Sequence, residues 1–268
     1  MKKATPNKRY IVIPDQHLEY VDWPAYRCVL KAIPIIRPTG FINLGDVGEW
    51  EHASYWQWKK KARPPIDYQL SLIDKDIKIV NARMDLIDAV LDKCNVREKY
   101  LLEGNHDNWL NQLVEENEHL ISTSHKYGKG YLFRDAVALE KRGYVFYPVG
   151  VRLKIGKLYF YHGHLIKGID HPRNHLLKWG INIMYGHYHD VQQSSITHVE
   201  GEKSAWSIGC LKRMDYAANK FLMRAPTNWG HAFAVVDFWS GGKFSVAPIR
   251  IIGGQCVVFG QLIDGNKK

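Results

Sequence analysis

Tyr100-Leu101-Leu102-Glu103-Gly104-Asn105-His106-Asp107 is a short apolar run that breaks off abruptly into Gly, Asn, His and Asp. A run of that kind reads as a buried strand, and the polar cluster behind it as the loop the strand feeds. The same punctuation occurs four more times. Tyr10 to Ile13 precedes Pro14-Asp15-Gln16-His17, and Phe41 to Leu44 precedes Gly45-Asp46. In the second half, Leu158 to Tyr161 precedes His162-Gly163-His164, and Ile181 to Tyr185 precedes Gly186-His187-Tyr188-His189. Loops at the carboxyl ends of strands converge in layered α/β folds, so the five clusters are predicted to meet in space.

Between the second and third clusters, Ile66, Leu70, Ile73, Ile77, Val80, Met84, Ile87 and Leu91 recur in steps of three and four, the period of one long amphipathic helix. Its seam leaves room for a homodimer, but the stripe reads as core packed on its own sheet. After Gly150 the pattern turns to hairpins: Val151 to Ile155 and Leu158 to Tyr161 across Gly156-Lys157, then Ala232 to Trp239 and Phe244 to Ile252 across Gly241-Gly242. Strand-helix units followed by an antiparallel-rich half predict an α/β protein of two packed sheets with helices outside. The reading is one domain over 1–268, with a basic, aromatic helical insertion at about 50–95 and a β-rich C-terminal part at about 190–268.

Composition excludes several classes. Of 268 residues, 46% are hydrophobic and 24% charged, which is globular rather than disordered or fibrous. The net charge of +10 favours anionic partners such as nucleic acid or nucleotides. Cys28, Cys94, Cys210 and Cys256 are far apart, so neither a zinc ribbon nor a disulfide framework is indicated. The basic start is followed by four apolar residues before Pro14, too few for a secretion signal, and no run is long enough to span a membrane. A cytoplasmic protein without membrane partners is the expectation.

Hydrolysis of a phosphoryl group by two cations needs a carboxylate to bridge them and about seven nitrogen and oxygen ligands in all. Asp15, His17, Asp46, Asn105, His162, His187 and His189 supply that number from the five loops. Six of the thirteen histidines fall in these clusters, a concentration that scattered structural histidines would not produce. The donor types suit Mn, Fe or Zn better than Mg or Ca, with Ni a further candidate and Mn the first choice for assay.

The ordered blocks D-x-H, GD, GNHD, an HG block and GHxH over roughly residues 10–190 resemble those of the calcineurin-like metallophosphoesterases. The resemblance implies a four-layer α/β/β/α sandwich of two mixed sheets flanked by helices. It also implies two divalent metal ions, with Asp15, His17 and His189 on one, Asn105, His162 and His187 on the other, and Asp46 between them. A hydroxide bridging the metals would attack phosphorus while His106 faces the scissile phosphate, oriented by Asp107 or Glu49. His164 would stand behind the ligands or near substrate.

The protein-phosphatase branch carries Arg after GD and usually GNHE, whereas this chain has Val47 after Asp46 and Asp107 after His106. A phosphodiesterase acting on nucleic acid or a nucleotide is therefore preferred to a phosphomonoesterase, and both to a noncatalytic scaffold. Tyr55-Trp56-Gln57-Trp58-Lys59-Lys60-Lys61-Ala62-Arg63 would let rings stack on bases and cations meet phosphates, unless the Trp residues fill core. Lys59, Lys60, Lys212 and Arg213 are the substrate-contact candidates, the last two lying near where relatives have an Asn-Pro-Gly-Ser turn.

Overall fold

The computed structural model describes residues 8–59, 62–117 and 130–267. The strands are β1 (Lys8–Ile13), β2 (Gly40–Asn43), β3 (Glu98–Leu102), β4 (Tyr144–Tyr147), β5 (Leu153–Ile155), β6 (Leu158–Tyr161), β7 (Asn182–Tyr185), β8 (Val191–His198), β9 (Gly201–Ile208), β10 (His231–Trp239), β11 (Lys243–Ile251), β12 (Gln255–Val258) and β13 (Gln261–Asp264). The described helices are α1 (Trp23–Ile36), α2 (Tyr55–Trp58), α3 (Ile66–Lys93), α4 (Asp107–Glu116), α5 (Phe133–Ala136) and α6 (His171–Trp179).

Two mixed sheets face each other. The first has the order β11-β10-β1-β2-β3-β4, with β1 to β4 parallel and β10 and β11 antiparallel at one side. The second has the order β5-β6-β7-β9-β8, with β6, β7 and β9 parallel. Both expected hairpins form, as β5 with β6 and β10 with β11. A third, two-stranded sheet of β12 and β13 packs on α1.

Strand alternation builds the layers. In β1, Ile11 and Ile13 join the core under the helices, while Tyr10 and Val12 join the core between the sheets. From α3, Ile73, Ile77, Val80, Met84, Ile87 and Leu91 are buried in the first of these cores, so the predicted stripe does pack on its own sheet. The inter-sheet core takes Leu158, Phe160, Ile183, Met184 and Ile208 from the second sheet, and α6 covers the far side through Leu176. The result is the four-layer α/β/β/α sandwich. No helix among the described residues is long and apolar enough to cross a membrane.

β1, β2, β3, β6 and β7 end immediately before the five polar clusters. Parallel β1, β2 and β3 put three clusters at one end of the first sheet, and parallel β6 and β7 put two at the end of the second.

Candidate metal centre

The loops at these strand ends hold their side chains by unusual backbone. Asp15, His17, Asp46, His187 and His189 all have positive φ, between 20° and 69°. Non-glycine residues adopt that region at a cost that surrounding structure must offset, and it is a recurrent mark of functional sites. Two glycines make the close approaches this needs. A Cβ on Gly186 would come within 1.9 Å of Asp15 Oδ2, and one on Gly104 within 2.1 Å of Asp46 Oδ1.

Seven predicted donors come together in two groups. In one, His17 Nε2 stands 3.1 Å from His189 Nε2, and Asp15 Oδ1 is 3.5 Å from His189 Nε2. In the other, His162 Nε2 lies 2.9 Å from Asn105 Oδ1 and 3.2 Å from His187 Nδ1. Asp46 joins them: its Oδ1 accepts from the His106 N–H at 2.9 Å, and its Oδ2 is 3.2 Å from His162 Nε2 and 3.7 Å from His17 Nε2. The Asp15 carboxylate is held by the His187 N–H at 2.8 Å, which ties the first sheet's loops to the second's.

Electrostatics suit cations. Burial drives His17 down to about 4 and His187 down to about 2, so both rings present lone pairs. Burial opposes charge on Asp46 as well, but His162, His106 and His17 outweigh it and hold the carboxyl well below its usual range. Against burial, Asp46 draws His162 up to about 9. Ring nitrogens facing one another at 3.1–3.2 Å form poor hydrogen bonds among themselves, and the buried Nδ1 of His189 has no hydrogen-bond partner among the described residues. Asp15, His17 and His189, and separately Asp46, His162 and His187, could each hold a metal ion.

Beside the ligands, two expectations need correction. Asp107 does not orient His106. Its buried carboxylate accepts from the N–H groups of Val47 at 3.0 Å and Gly104 at 3.1 Å and from Trp50 Nε1 at 2.9 Å, so it clamps the second and third loops together. His106 is oriented instead by Glu49, through the backbone: His106 Nδ1 donates to the Glu49 carbonyl at 3.0 Å, while the Glu49 carboxylate is 3.8 Å away. That carboxylate lies 2.9 Å from His17 Nδ1 and 2.5 Å from Lys212 Nζ. Lys212 is thus buried and paired, not extended towards solvent, because a buried carboxylate such as that of Glu49 needs a charged partner. His17, His106 and Lys212 together overcome burial and keep Glu49 ionised.

Of the other substrate candidates, Arg213 is on the surface, paired with Asp215 at 2.6 Å. His164 lines the second group, its ring 5.9 Å from that of His162 and its Nδ1 buried without a hydrogen-bond partner. Lys59 is exposed with its ammonium 4.7 Å from the Trp56 ring, and Lys60 lies outside the described residues. Tyr55 and Trp56 are 57% and 64% exposed, so these two rings do not fill core. Sequence reading missed three rings beside the centre: Trp109 against His106 at 3.9 Å, Trp229 against His189 at 4.4 Å, and Phe221 next to Trp229 at 6.5 Å. Trp109 was findable three residues beyond His106, on the first turn of α4; the other two follow no strand-end signal.

No family model matches the chain. The chain is similar, at 20% identity over 266 residues, to the Gene 54 protein of Mycobacterium phage L5, with 96% of this chain and 98% of that one covered. Among solved structures, it is similar to Vps29 of Chaetomium thermophilum, with 11% identity, a TM-score of 0.40 and 91% and 97% of the two chains covered. It is also similar to YfcE, a phosphoesterase from E. coli, with 13% identity, a TM-score of 0.39 and 89% and 98% covered.

Proposed function

We propose that this protein hydrolyses phosphoesters with two divalent cations, and that its substrates are phosphodiesters of nucleic acid or nucleotides. One observation carries the reading: Asp46 Oδ2 lies between two histidine-rich groups, 3.2 Å from one and 3.7 Å from the other, the place a carboxylate takes when it bridges two ions. Bound there, the ions would neutralise phosphoryl oxygens and lower the pKa of a water.

The chain's own residues do the rest. Asp15, His17 and His189 would hold one ion and Asn105, His162 and His187 the other, with these donors already gathered before substrate arrives. His106 engages Nδ1 with the Glu49 carbonyl and keeps Nε2 for the phosphoryl group, where it would stabilise developing charge or give a proton to the leaving oxygen. The diester preference rests on the Val47 and Asp107 positions, the net charge of +10 and the aromatic-basic surface.

Bis-p-nitrophenyl phosphate and p-nitrophenyl phosphate, assayed side by side with Mn or with chelator, test this. The expected result is Mn-dependent cleavage of the diester over the monoester. Asp46→Ala should lower it by on the order of 10³-fold, the upper range for loss of one preorganised charged contact. His106→Ala should keep the metal content while losing about 10²–10⁴-fold in turnover. Preference for the monoester would replace the diesterase with a phosphomonoesterase, and equal activity with chelator would overturn the metal-dependent reading.

A further inference from the structure

Between β9 and β10 the chain makes a connection from Gly209 to Gly230, far longer than the usual two to six residues or so between elements. Connections of that length without a strand or a full helix are either functional loops or linkers, and this one packs on the metal centre at both ends. Apart from Ala218, Asn219 and Leu222, residues 213–228 are all exposed. The connection returns to the metal centre twice. Trp229 is half-buried with its ring 4.4 Å from His189, and Lys212 Nζ, buried against Glu49, lies 5.6 Å from the Phe221 ring.

Phe221 is 65% exposed, although it stands 6.5 Å from Trp229 at an interplanar angle of 44°. The exposed ring next to a half-buried one leaves an aromatic face open to a planar group. The charges around it narrow what that is. Of the connection's four cations, Lys212 is held by Glu49 at 2.5 Å and Arg213 by Asp215 at 2.6 Å, which leaves Lys220 and Arg224. Arg224 lies over the ring of Tyr216 at 4.8 Å, so a second aromatic face here carries a cation. A surface of rings and unpaired cations fits an anion with a flat apolar part, and of the diesters proposed above a nucleotide unit has both.

We propose that Phe221 and Trp229 form a stacking platform for an unpaired nucleobase adjoining the scissile phosphate, with Lys220 and Arg224 meeting the flanking phosphates. This rests on the phosphodiesterase reading for the position of that phosphate. The base must be unpaired because a ring stacks on a face that a duplex keeps covered. The platform therefore selects single strands or free nucleotides over duplex.

The test is equilibrium binding by fluorescence anisotropy of three labelled decamers: decathymidylate, an abasic strand with the same phosphates, and decathymidylate annealed to decadeoxyadenylate. Identical phosphates cancel in the ratio of the first two, so the ratio reads the bases alone, with chelator or with Ca present. The intact chain should bind decathymidylate about 5- to 150-fold more tightly than the abasic strand, the range expected for one stacked base. Phe221→Ala should bring that ratio down several-fold, Phe221→Trp should restore it, and Phe259→Ala, an exposed Phe in the turn between β12 and β13, should leave it unchanged. Equal binding of thymidylate and abasic strands, an unaltered ratio in Phe221→Ala, or a duplex bound as tightly as the single strand would each overturn the platform. Hydrolysis plays no part in this measurement, so failure of the phosphoesterase reading shows in the chromogenic assay alone. A short thymidine nucleotide that competes as well as the decamer would assign the platform to a free nucleotide instead of a strand.

Discussion

The strand-end loops and the aromatic-basic segments differ in how they hold their side chains. At the strand ends five ligands sit at positive φ, Asp15 and Asp46 are pinned by backbone N–H groups, and Asp107 clamps two loops by accepting from backbone and indole N–H groups. In α2 and in the 209–230 connection, Trp56 and Phe221 stand in solvent at 64% and 65% exposure, held by little more than a neighbouring ring or cation. Chemistry on phosphorus is the same for every phosphoester and rewards rigidity. Recognition of what the phosphorus carries tolerates, and uses, a softer surface.

The comparison is most easily broken at Lys212, which belongs by sequence to the soft connection and by contact to the rigid centre. Lys212→Met would leave Glu49 buried beside His17 with its nearest cation gone, and removal of one partner from a buried ion pair costs about 3–5 kcal/mol. Urea unfolding should show a loss of that size, and the double variant Glu49→Gln, Lys212→Met should recover part of it. A loss below about 0.5 kcal/mol, the level of an ordinary surface substitution, would place Lys212 with the soft surface.

The contrast also explains what was legible in the sequence. Strand ends were readable because a buried strand must be apolar and a ligand must be polar, so the change of character falls at one residue, as at Leu102 to Glu103 or Tyr161 to His162. Alternation in β1 and the period of α3 then followed from packing alone. Partners within the site were not readable. Asp107 is adjacent to His106, yet as the first residue of α4 it turns to the N–H groups of Val47 and Gly104; Glu49 serves His106 by its carbonyl, an atom every residue has. The left-handed backbone at His187 and His189 was hidden for the same reason, since nothing in a histidine marks it. Phe221 and Trp229 were invisible because they approach the centre from a connection with no periodicity at all.

Gly186→Ala sharpens the rigid side. The added Cβ would fall 1.9 Å from Asp15 Oδ2, so either the loop of His187 and His189 or the Asp15 carboxylate must move. Forcing one methyl into a packed site costs about 1–3 kcal/mol, and the displacement strikes the Asp15, His17 and His189 group directly. Isothermal titration with Mn should show the affinity of one site lowered well before the other. Equal weakening of both sites, or of neither, would mean that Asp15 is not held by the approach of Gly186.

Trp56→Ala probes the soft side and should have the smallest effect on the fold. The ring is 64% exposed and lies 5.7 Å from the Tyr55 ring and 4.7 Å from the Lys59 ammonium, so unfolding free energy should change by less than about 0.5 kcal/mol. Affinity for decathymidylate should fall all the same, by up to about fivefold for one weakly stacked base. Lys59→Gln should instead lower the slope of log affinity against log salt by about one, with little preference between thymidylate and abasic strands, because a cation on a phosphate reads charge and not the base. The two variants then separate the two contributions that this turn of helix offers. Loss of fold stability in Trp56→Ala, with affinity unchanged, would return the ring to a packing role and leave the 209–230 connection to recognise the substrate by itself.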